Sequence, residues 1–129
     1  MSHRIVSTDN APSAIGPYSQ AVVLPAGREV VFVAGQIPVV PETGEVLDGP
    51  LENQVHQVMR NLTAVLDAAG SDLERVVKTS IFLRTMDDFA AVNEVYAGYF
   101  GATPPARATV AVVGLPKDVR VEIEAIAYI

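Results

Sequence analysis

The chain has 129 residues, 50% of them hydrophobic, and a formal net charge of -6 at pH 7. This length fits one domain with a sizeable core, so we predict a single domain over residues 1–129. The absence of cysteine excludes disulfides and thiolate chemistry, two histidines cannot form a clustered metal site, and the acidic balance disfavours nucleic acid as a partner. The apolar runs are far shorter than the ~20 residues of a membrane span and no apolar signal core follows the N-terminus, so we expect a soluble cytoplasmic protein with no membrane partner.

The N-terminal part of the chain predicts strands. Residues 18–24 and 29–37 are rich in β-branched and aromatic residues and flank a turn sequence at 25–28, which indicates a β-hairpin. Residues 4–7 are a candidate for a short additional strand. Gly35 lies late in the second hairpin strand, where glycine is typical of a bulge or of a ligand that approaches the backbone closely.

Two helices are predicted in the middle of the chain, with one strand between them. Residues 51–69 place apolar side chains at helical spacing, and Gly70 follows as a C-terminal cap. Residues 76–83 alternate as a strand with one fully covered face. The second helix is predicted to begin near Asp87, whose side chain would cap it, and to end at Gly101.

Charged residues interrupt the apolar strands near the C-terminus. Arg107 opens the apolar run 108–113, and Glu122 and Glu124 alternate with apolar residues in the last strand. Charges are rarely buried unless they are paired or used in function. If the two strands pair through the turn at 114–118, Arg107 and Glu122 lie toward the same end of a hairpin, which suits a small anionic substrate. The same two residues could equally form a structural ion pair that fixes strand register.

The order of elements, β-β-α-β-α-β-β, predicts the α+β class, with both helices packed on one face of a mixed β-sheet. Two helices leave the other sheet face uncovered, although the predicted strands carry apolar residues on both faces. An exposed apolar face of this size usually marks association between proteins, and association is most often symmetric. We therefore predict a homo-oligomer.

Five segments occur in the order and at the spacing of one known family. They read IGPYSQ at 15–20, AGQIP at 34–38, VVKT at 76–79, FAAVN at 89–93, and, at the C-terminus, PARATV at 105–110 followed by LPKDVRVEIEA at 115–125. Over essentially the whole chain the sequence resembles the Rid family, also called YjgF or RidA. The resemblance implies a homotrimer with a chorismate-mutase-like fold and three clefts between subunits. It also implies a deaminase that hydrolyses 2-iminoacids such as 2-iminobutanoate and 2-iminopropanoate to 2-oxoacids and ammonia, with no cofactor or metal.

The same resemblance implies roles for individual residues. Arg107 matches the arginine that binds the substrate carboxylate, and Glu122 matches the acid that positions a water molecule. Positions that line the cleft or contact the ligand are matched by Tyr18, Gly35 through its backbone, Asn93 and Thr109. The chain has Ala34 and Thr109 where many members have serine and cysteine, so the sequence leaves the preferred iminoacid open.

The expected chemistry suits these residue types. A planar guanidinium holds a carboxylate through two parallel hydrogen bonds, and a carboxylate base can accept a proton from water as it attacks an imine carbon. Two alternatives remain: a noncatalytic regulatory trimer that binds 2-oxoacids or similar metabolites, and an endoribonuclease or translation inhibitor, labels that some members of this family carry. A base at Glu122 favours a deaminase over a binding module. The acidity of the chain and its lack of a histidine or lysine cluster disfavour phosphodiester chemistry.

Overall fold

The computed structural model describes residues 2–129, and in that range two α-helices pack against a four-stranded sheet. The strands are β1 (Arg4–Val6), β2 (Ala21–Val23), β3 (Val30–Gln36), β4 (Val39–Val40), β5 (Glu45–Val46), β6 (Val76–Leu83), β7 (Ala106–Ala111) and β8 (Val121–Tyr128). The helices are α1 (Leu51–Ala68) and α2 (Phe89–Ala97), and single 3-10 turns lie at Leu73–Arg75, Met86–Asp88 and Pro116–Asp118. The predicted α+β class is confirmed. Neither helix in this part of the chain combines the length and apolar character needed to cross a bilayer.

The main sheet has the strand order β3-β8-β6-β7. Strands β6 and β7 are parallel, whereas β8 is antiparallel to both β6 and β3. A parallel pair requires a crossover rather than a tight turn, and α2 supplies it between β6 and β7. The short pairs β1-β2 and β4-β5 form two separate antiparallel ribbons.

Both helices cover one face of this sheet and form the core with it. The residues of this core with no exposed surface are Val55, Val58, Met59, Leu62 and Leu66 of α1, Tyr96 of α2, Ile81 and Leu83 of β6, and Val121, Ile123 and Ala127 of β8. Burial of each valine, leucine, isoleucine or methionine side chain among them contributes roughly 1.5–3 kcal/mol to folding. The predicted stop of α1 at Gly70 is confirmed, because this residue has the positive φ of 85° that glycine adopts without strain.

The ends of α2 differ from the prediction. Thr85, not Asp87, provides the capping side chain: its hydroxyl accepts a hydrogen bond from the Asp87 backbone N–H at 3.1 Å and starts the 3-10 turn that leads into α2. The helix ends at Ala97 rather than at Gly101. Tyr99 and Phe100 beyond it still pack on the core, so their apolar character reflects tertiary packing and not a longer helix.

The predicted hairpin between residues 18–24 and 29–37 is wrong. The turn forms around Gly27, which has a φ of 74°, but β2 pairs with β1 and β3 pairs with β8. Strand β3 is seven residues long, β2 only three, and β8 offers β3 a long apolar partner. A local turn signal therefore identified the bend correctly without identifying the partner of either strand.

The predicted hairpin between the last two strands is also wrong. Strand β6 lies between β7 and β8, so the connection through the Pro116–Asp118 turn joins strands that are not neighbours. The reason is the crossover helix: α2 returns the chain to the edge of β6, and the other edge of β6 is then free for β8. This arrangement changes how Arg107 and Glu122 are related in space.

The sheet face away from the helices is largely uncovered within residues 2–129. Phe32 is 76% exposed, Val110 47% and Val30 37%. These side chains lie on strands of the main sheet, as the sequence predicted for an uncovered apolar face. The homo-oligomer inferred from that face stays a prediction.

Candidate functional site

Arg107 lies at the start of β7 with its guanidinium against α2. Its Nη1 donates a hydrogen bond to Oδ1 of Asn93 at 2.6 Å. The central guanidinium carbon lies 5.3 Å from the ring centroid of Tyr96, 5.4 Å from that of Tyr18 and 5.8 Å from that of Phe89. These distances are within the range of cation–π attraction, about 0.5–2 kcal/mol for each contact. One amide and three rings therefore hold the guanidinium.

The charge of Arg107 is not compensated by a carboxylate in this part of the chain. The three ion pairs within residues 2–129 use Arg75, Arg84 and Arg120, and none includes Arg107. Burial lowers the pKa of Arg107, while the electrostatic influence of Tyr96 acts in the opposite direction. Arginine nevertheless stays protonated in proteins. A half-buried guanidinium without a counter-ion is well suited to bind a small carboxylate.

Tyr18 reaches Arg107 from a loop fastened to the start of β7. The backbone N–H of Ser19 donates to the carbonyl of Pro105 at 3.1 Å, and that of Tyr18 donates to the carbonyl of Gly16 at 2.8 Å. Gly16 has a φ of 123°, which only glycine adopts readily. The loop thus uses backbone geometry to place one aromatic ring on the guanidinium.

Thr109 lies two residues beyond Arg107 on the same strand and therefore on the same sheet face. Its hydroxyl oxygen is buried and has no hydrogen-bond partner among residues 2–129. An unpaired buried hydroxyl costs about 1–3 kcal/mol. The structure places Thr109 beside the arginine, and its contact with a ligand stays a prediction.

Glu122 lies on the opposite face of the sheet from Arg107. Arg107 is paired with Thr79 of β6, and Glu122 with Phe82. Paired residues share a face and successive strand residues alternate, so positions 79 and 82 point to opposite sides. The Thr79 hydroxyl bonds to Tyr96 of α2, which identifies its side as the helix face. The expectation that Arg107 and Glu122 converge within one hairpin is therefore wrong for a single chain.

Gly35 adjoins Glu122 on the uncovered face. The pairing of β3 with β8 shifts between Val33 and Gln36, an irregularity that agrees with a bulge, one of the two features predicted for this glycine. A Cβ atom on Gly35 would overlap Oε2 of Glu122 and would lie 2.7 Å from its Cδ. The carboxylate therefore lies directly against the glycine backbone, in space that any other residue would occupy.

The six predicted site residues thus form two groups. Tyr18, Asn93, Thr109 and Arg107 lie on the helix face, and Gly35 and Glu122 lie on the uncovered face. The sequence assigned no site role to Phe89 or Tyr96, whose rings the structure places against the guanidinium. The sequence signal that could have identified these two rings is the spacing of Phe89, Asn93 and Tyr96. This spacing puts a polar amide between two aromatic rings on one face of the helix.

A cleft elsewhere in the described chain lies apart from both groups of predicted site residues. This cleft, of about 550 Å³, opens near the end of β8 and is lined by His3, Arg28, Tyr99 and Tyr128 among others, but by neither Arg107 nor Glu122. Residues 2–129 contain no group of three or more histidine, aspartate or glutamate side chains placed to hold a metal ion.

Comparison with known proteins identifies the family of the chain. The sequence model described as Endoribonuclease L-PSP matches residues 8–129. A RutC family protein of Pyrococcus horikoshii is 53% identical over 124 residues, covering 96% of each chain. The 2-iminobutanoate/2-iminopropanoate deaminase of Mus musculus is 44% identical over 124 residues, covering 96% of this chain and 90% of that protein. The crystal structure of E. coli TdcF with bound serine aligns with a TM-score of 0.74 at 43% identity, covering 98% of each chain. The chain therefore belongs to the Rid family, the family whose sequence model is described as Endoribonuclease L-PSP.

Proposed function

We propose that the protein is a 2-iminoacid deaminase that hydrolyses 2-iminobutanoate and 2-iminopropanoate to the 2-oxoacids and ammonia. The observation that carries this proposal is the guanidinium of Arg107, which is fixed by Asn93 and three rings and has no carboxylate partner within residues 2–129. A 2-iminoacid presents a carboxylate next to an electrophilic C=N carbon. Binding that carboxylate in two parallel hydrogen bonds fixes the position of the carbon.

The second functional group is Glu122, contributed by a neighbouring copy of the chain. Within one chain Glu122 and Arg107 point to opposite sheet faces, so a shared site requires contact between copies. The uncovered face that carries Glu122 also carries Phe32 and other exposed apolar side chains, which association would bury. We propose that three copies form a closed ring in which each contact brings one arginine and one glutamate together.

The reaction then needs only water as a second reactant. Glu122 accepts a proton from water as the water oxygen bonds to the imine carbon, and the C=N double bond becomes a single bond to nitrogen. Return of that proton to the nitrogen gives a carbinolamine, and transfer of its hydroxyl proton to the nitrogen through Glu122 then lets ammonia leave as the carbonyl forms. Because imines already hydrolyse in water, orientation by Arg107 and one base are sufficient, since positioning alone contributes ~7 kcal/mol in favourable cases.

The direct test is ammonia release from iminoacids generated in solution by an amino-acid oxidase or a threonine dehydratase. The wild-type protein should accelerate ammonia and 2-oxoacid formation, and Arg107→Ala should remove most of the acceleration while the protein keeps its oligomeric mass. Glu122→Gln should still bind 2-oxobutanoate but turn over slowly. An Arg107→Ala protein of unchanged mass and full rate would contradict the role of the arginine.

One competing function has a specific observation in its favour. In a single chain the surroundings of Arg107 provide a group that binds a carboxylate but no catalytic base. A noncatalytic regulator that binds metabolites needs no more than this. Such a protein would bind 2-oxoacids through Arg107, and Glu122→Gln would change neither binding nor any rate. Ammonia release that equals the uncatalysed rate, together with tight 2-oxoacid binding, would favour this second function.

A further inference from the structure

The core beneath Arg107 contains a buried polar pair. Thr79 of β6 and Tyr96 of α2 are both 0% exposed, and the Thr79 Oγ1 lies 2.8 Å from the Tyr96 hydroxyl. Tyr96 belongs to the hydrophobic core, and the other buried members of that core are aliphatic. A threonine and a tyrosine at these positions bury two hydroxyl groups, each of which costs about 1–3 kcal/mol if left unpaired. Valine and phenylalanine would fill the same space without that risk.

The pair is directly connected to Arg107. Thr79 is the cross-strand neighbour of Arg107 in the parallel register of β6 and β7. The Tyr96 ring centroid lies 5.3 Å from the guanidinium carbon, and the Phe100 ring packs against the tyrosine with ring centroids 4.8 Å apart. The ring is therefore restrained by its hydroxyl, by a second ring and by the cation.

The tyrosine restrains the arginine without reducing its charge. The phenol of Tyr96 is neutral at physiological pH, as tyrosine ordinarily is, and burial raises its pKa further, to about 12. A phenolate in this position would form an ion pair with the guanidinium and compete with a substrate carboxylate. A neutral ring provides attraction through its face and leaves the positive charge available.

We infer that Thr79 and Tyr96 act together as a positioning pair that fixes the orientation of the Arg107 guanidinium. The hydrogen bond between them sets the plane of the Tyr96 ring, and the ring sets the plane of the guanidinium. Neither residue touches the substrate. The kinetic part of this inference rests on the proposed deaminase function, whereas the restraint on Arg107 is independent of it.

The kinetic test uses Thr79→Val and Tyr96→Phe, which remove one hydroxyl each and keep the packing, with Tyr99→Phe as the matched control. Tyr99 follows the same helix, and its hydroxyl bonds to His56 at 2.5 Å, away from Arg107. We expect kcat/KM for 2-iminobutanoate to fall about 5- to 10-fold in each variant, mostly through KM, and to stay unchanged in the control. The double variant should be no worse than either single variant, because the pair acts as a unit. Thr79→Ser should restore the wild-type value.

A second measurement does not depend on turnover. The Nε–Hε NMR signal of Arg107, assigned by its loss in Arg107→Lys, should have a high order parameter in the wild-type protein. Thr79→Val and Tyr96→Phe should lower it, and Tyr99→Phe should not. If the wild-type protein shows no deaminase activity but these signals change as expected, the proposed function fails and the positioning pair stands. Unchanged order parameters and unchanged kcat/KM in both hydroxyl variants would overturn the inference.

Discussion

The opposite directions of Arg107 and Glu122 make a sharp prediction about mixed oligomers. Arg107→Ala leaves Glu122 intact, and Glu122→Gln leaves the arginine intact, so each variant alone should be almost inactive. If each site takes its arginine from one copy and its glutamate from the next, a mixed oligomer contains some sites with both groups. Mixing two inactive proteins should therefore restore activity.

The expected recovery follows from the sheet geometry and from random assembly. In a closed ring, each site needs an arginine-bearing copy next to a glutamate-bearing copy. With equal amounts of the two variants each condition is met half of the time, so roughly a quarter of the sites should be complete. If both groups of a site came from the same chain, every site in the mixture would lack one of them, and no activity would be recovered.

The assay is ammonia release from 2-iminobutanoate after the two variants are unfolded together and refolded, with mass spectrometry of differently tagged chains to prove mixing. The matched control mixes Arg107→Ala with the double variant Arg107→Ala/Glu122→Gln, which has no intact arginine in any chain and should recover nothing. Proven mixing without any gain over the separate variants would refute the shared site. A gain close to a quarter of the wild-type rate would support it.

Three further outcomes are expected. Gly35→Ala should lower activity about 100-fold, because the added Cβ would displace the Glu122 carboxylate. The free energy of unfolding, measured by thermal melts, should change by less than about 1 kcal/mol, since the displaced atoms lie at the end of a flexible side chain. A large loss of stability together with the loss of activity would point to a structural role. Phe32→Asp should dissociate the oligomer by placing a charge on the apolar face, as light scattering would show, while Val65→Asp on α1 should not. Between pH 10 and its raised pKa of about 12, Tyr96 keeps its proton in the folded protein and loses it in the unfolded chain. Its contribution to stability is therefore complete below pH 10, and the free energy of unfolding should fall by roughly 2–3 kcal/mol as the pH rises toward 12. Tyr96→Phe should lack this decline in alkaline denaturation curves; an identical decline would contradict the assignment.

The sequence predicted the elements because each carries its own periodicity. The apolar stripe of residues 51–69 matches α1 (Leu51–Ala68) almost to the residue, since a helix buries every third or fourth side chain wherever it packs. The alternation over 76–83 matches β6 for the same reason. The irregular pairing at Gly35 could also be predicted, because a glycine within a strand is itself the sequence feature that is typical of a bulge.

Strand partners were beyond the reach of such local patterns. The turn around Gly27 is real, yet β2 and β3 leave it toward different ribbons. The pairing of β6 with both β7 and β8 depends on the total apolar area buried by the whole sheet, which no window of sequence contains. The aromatic environment of Arg107 was missed for the same reason, since the Tyr18 loop and α2 meet only in three dimensions.

The direction of Glu122, in contrast, has a signal in its own strand, where Glu122 stands between the apolar residues Val121 and Ile123. Val121 and Ile123 are fully buried, so the alternation of β8 must turn Glu122 away from the helices, while the contact of Arg107 with Asn93 turns the arginine toward them. An acid and a cation on opposite faces of one sheet meet only where two copies touch. The apolar face and the active site are therefore one hypothesis: Phe32→Asp, which alters neither charged group, should abolish ammonia release when it dissociates the copies. A monomeric Phe32→Asp protein with full turnover would contradict both.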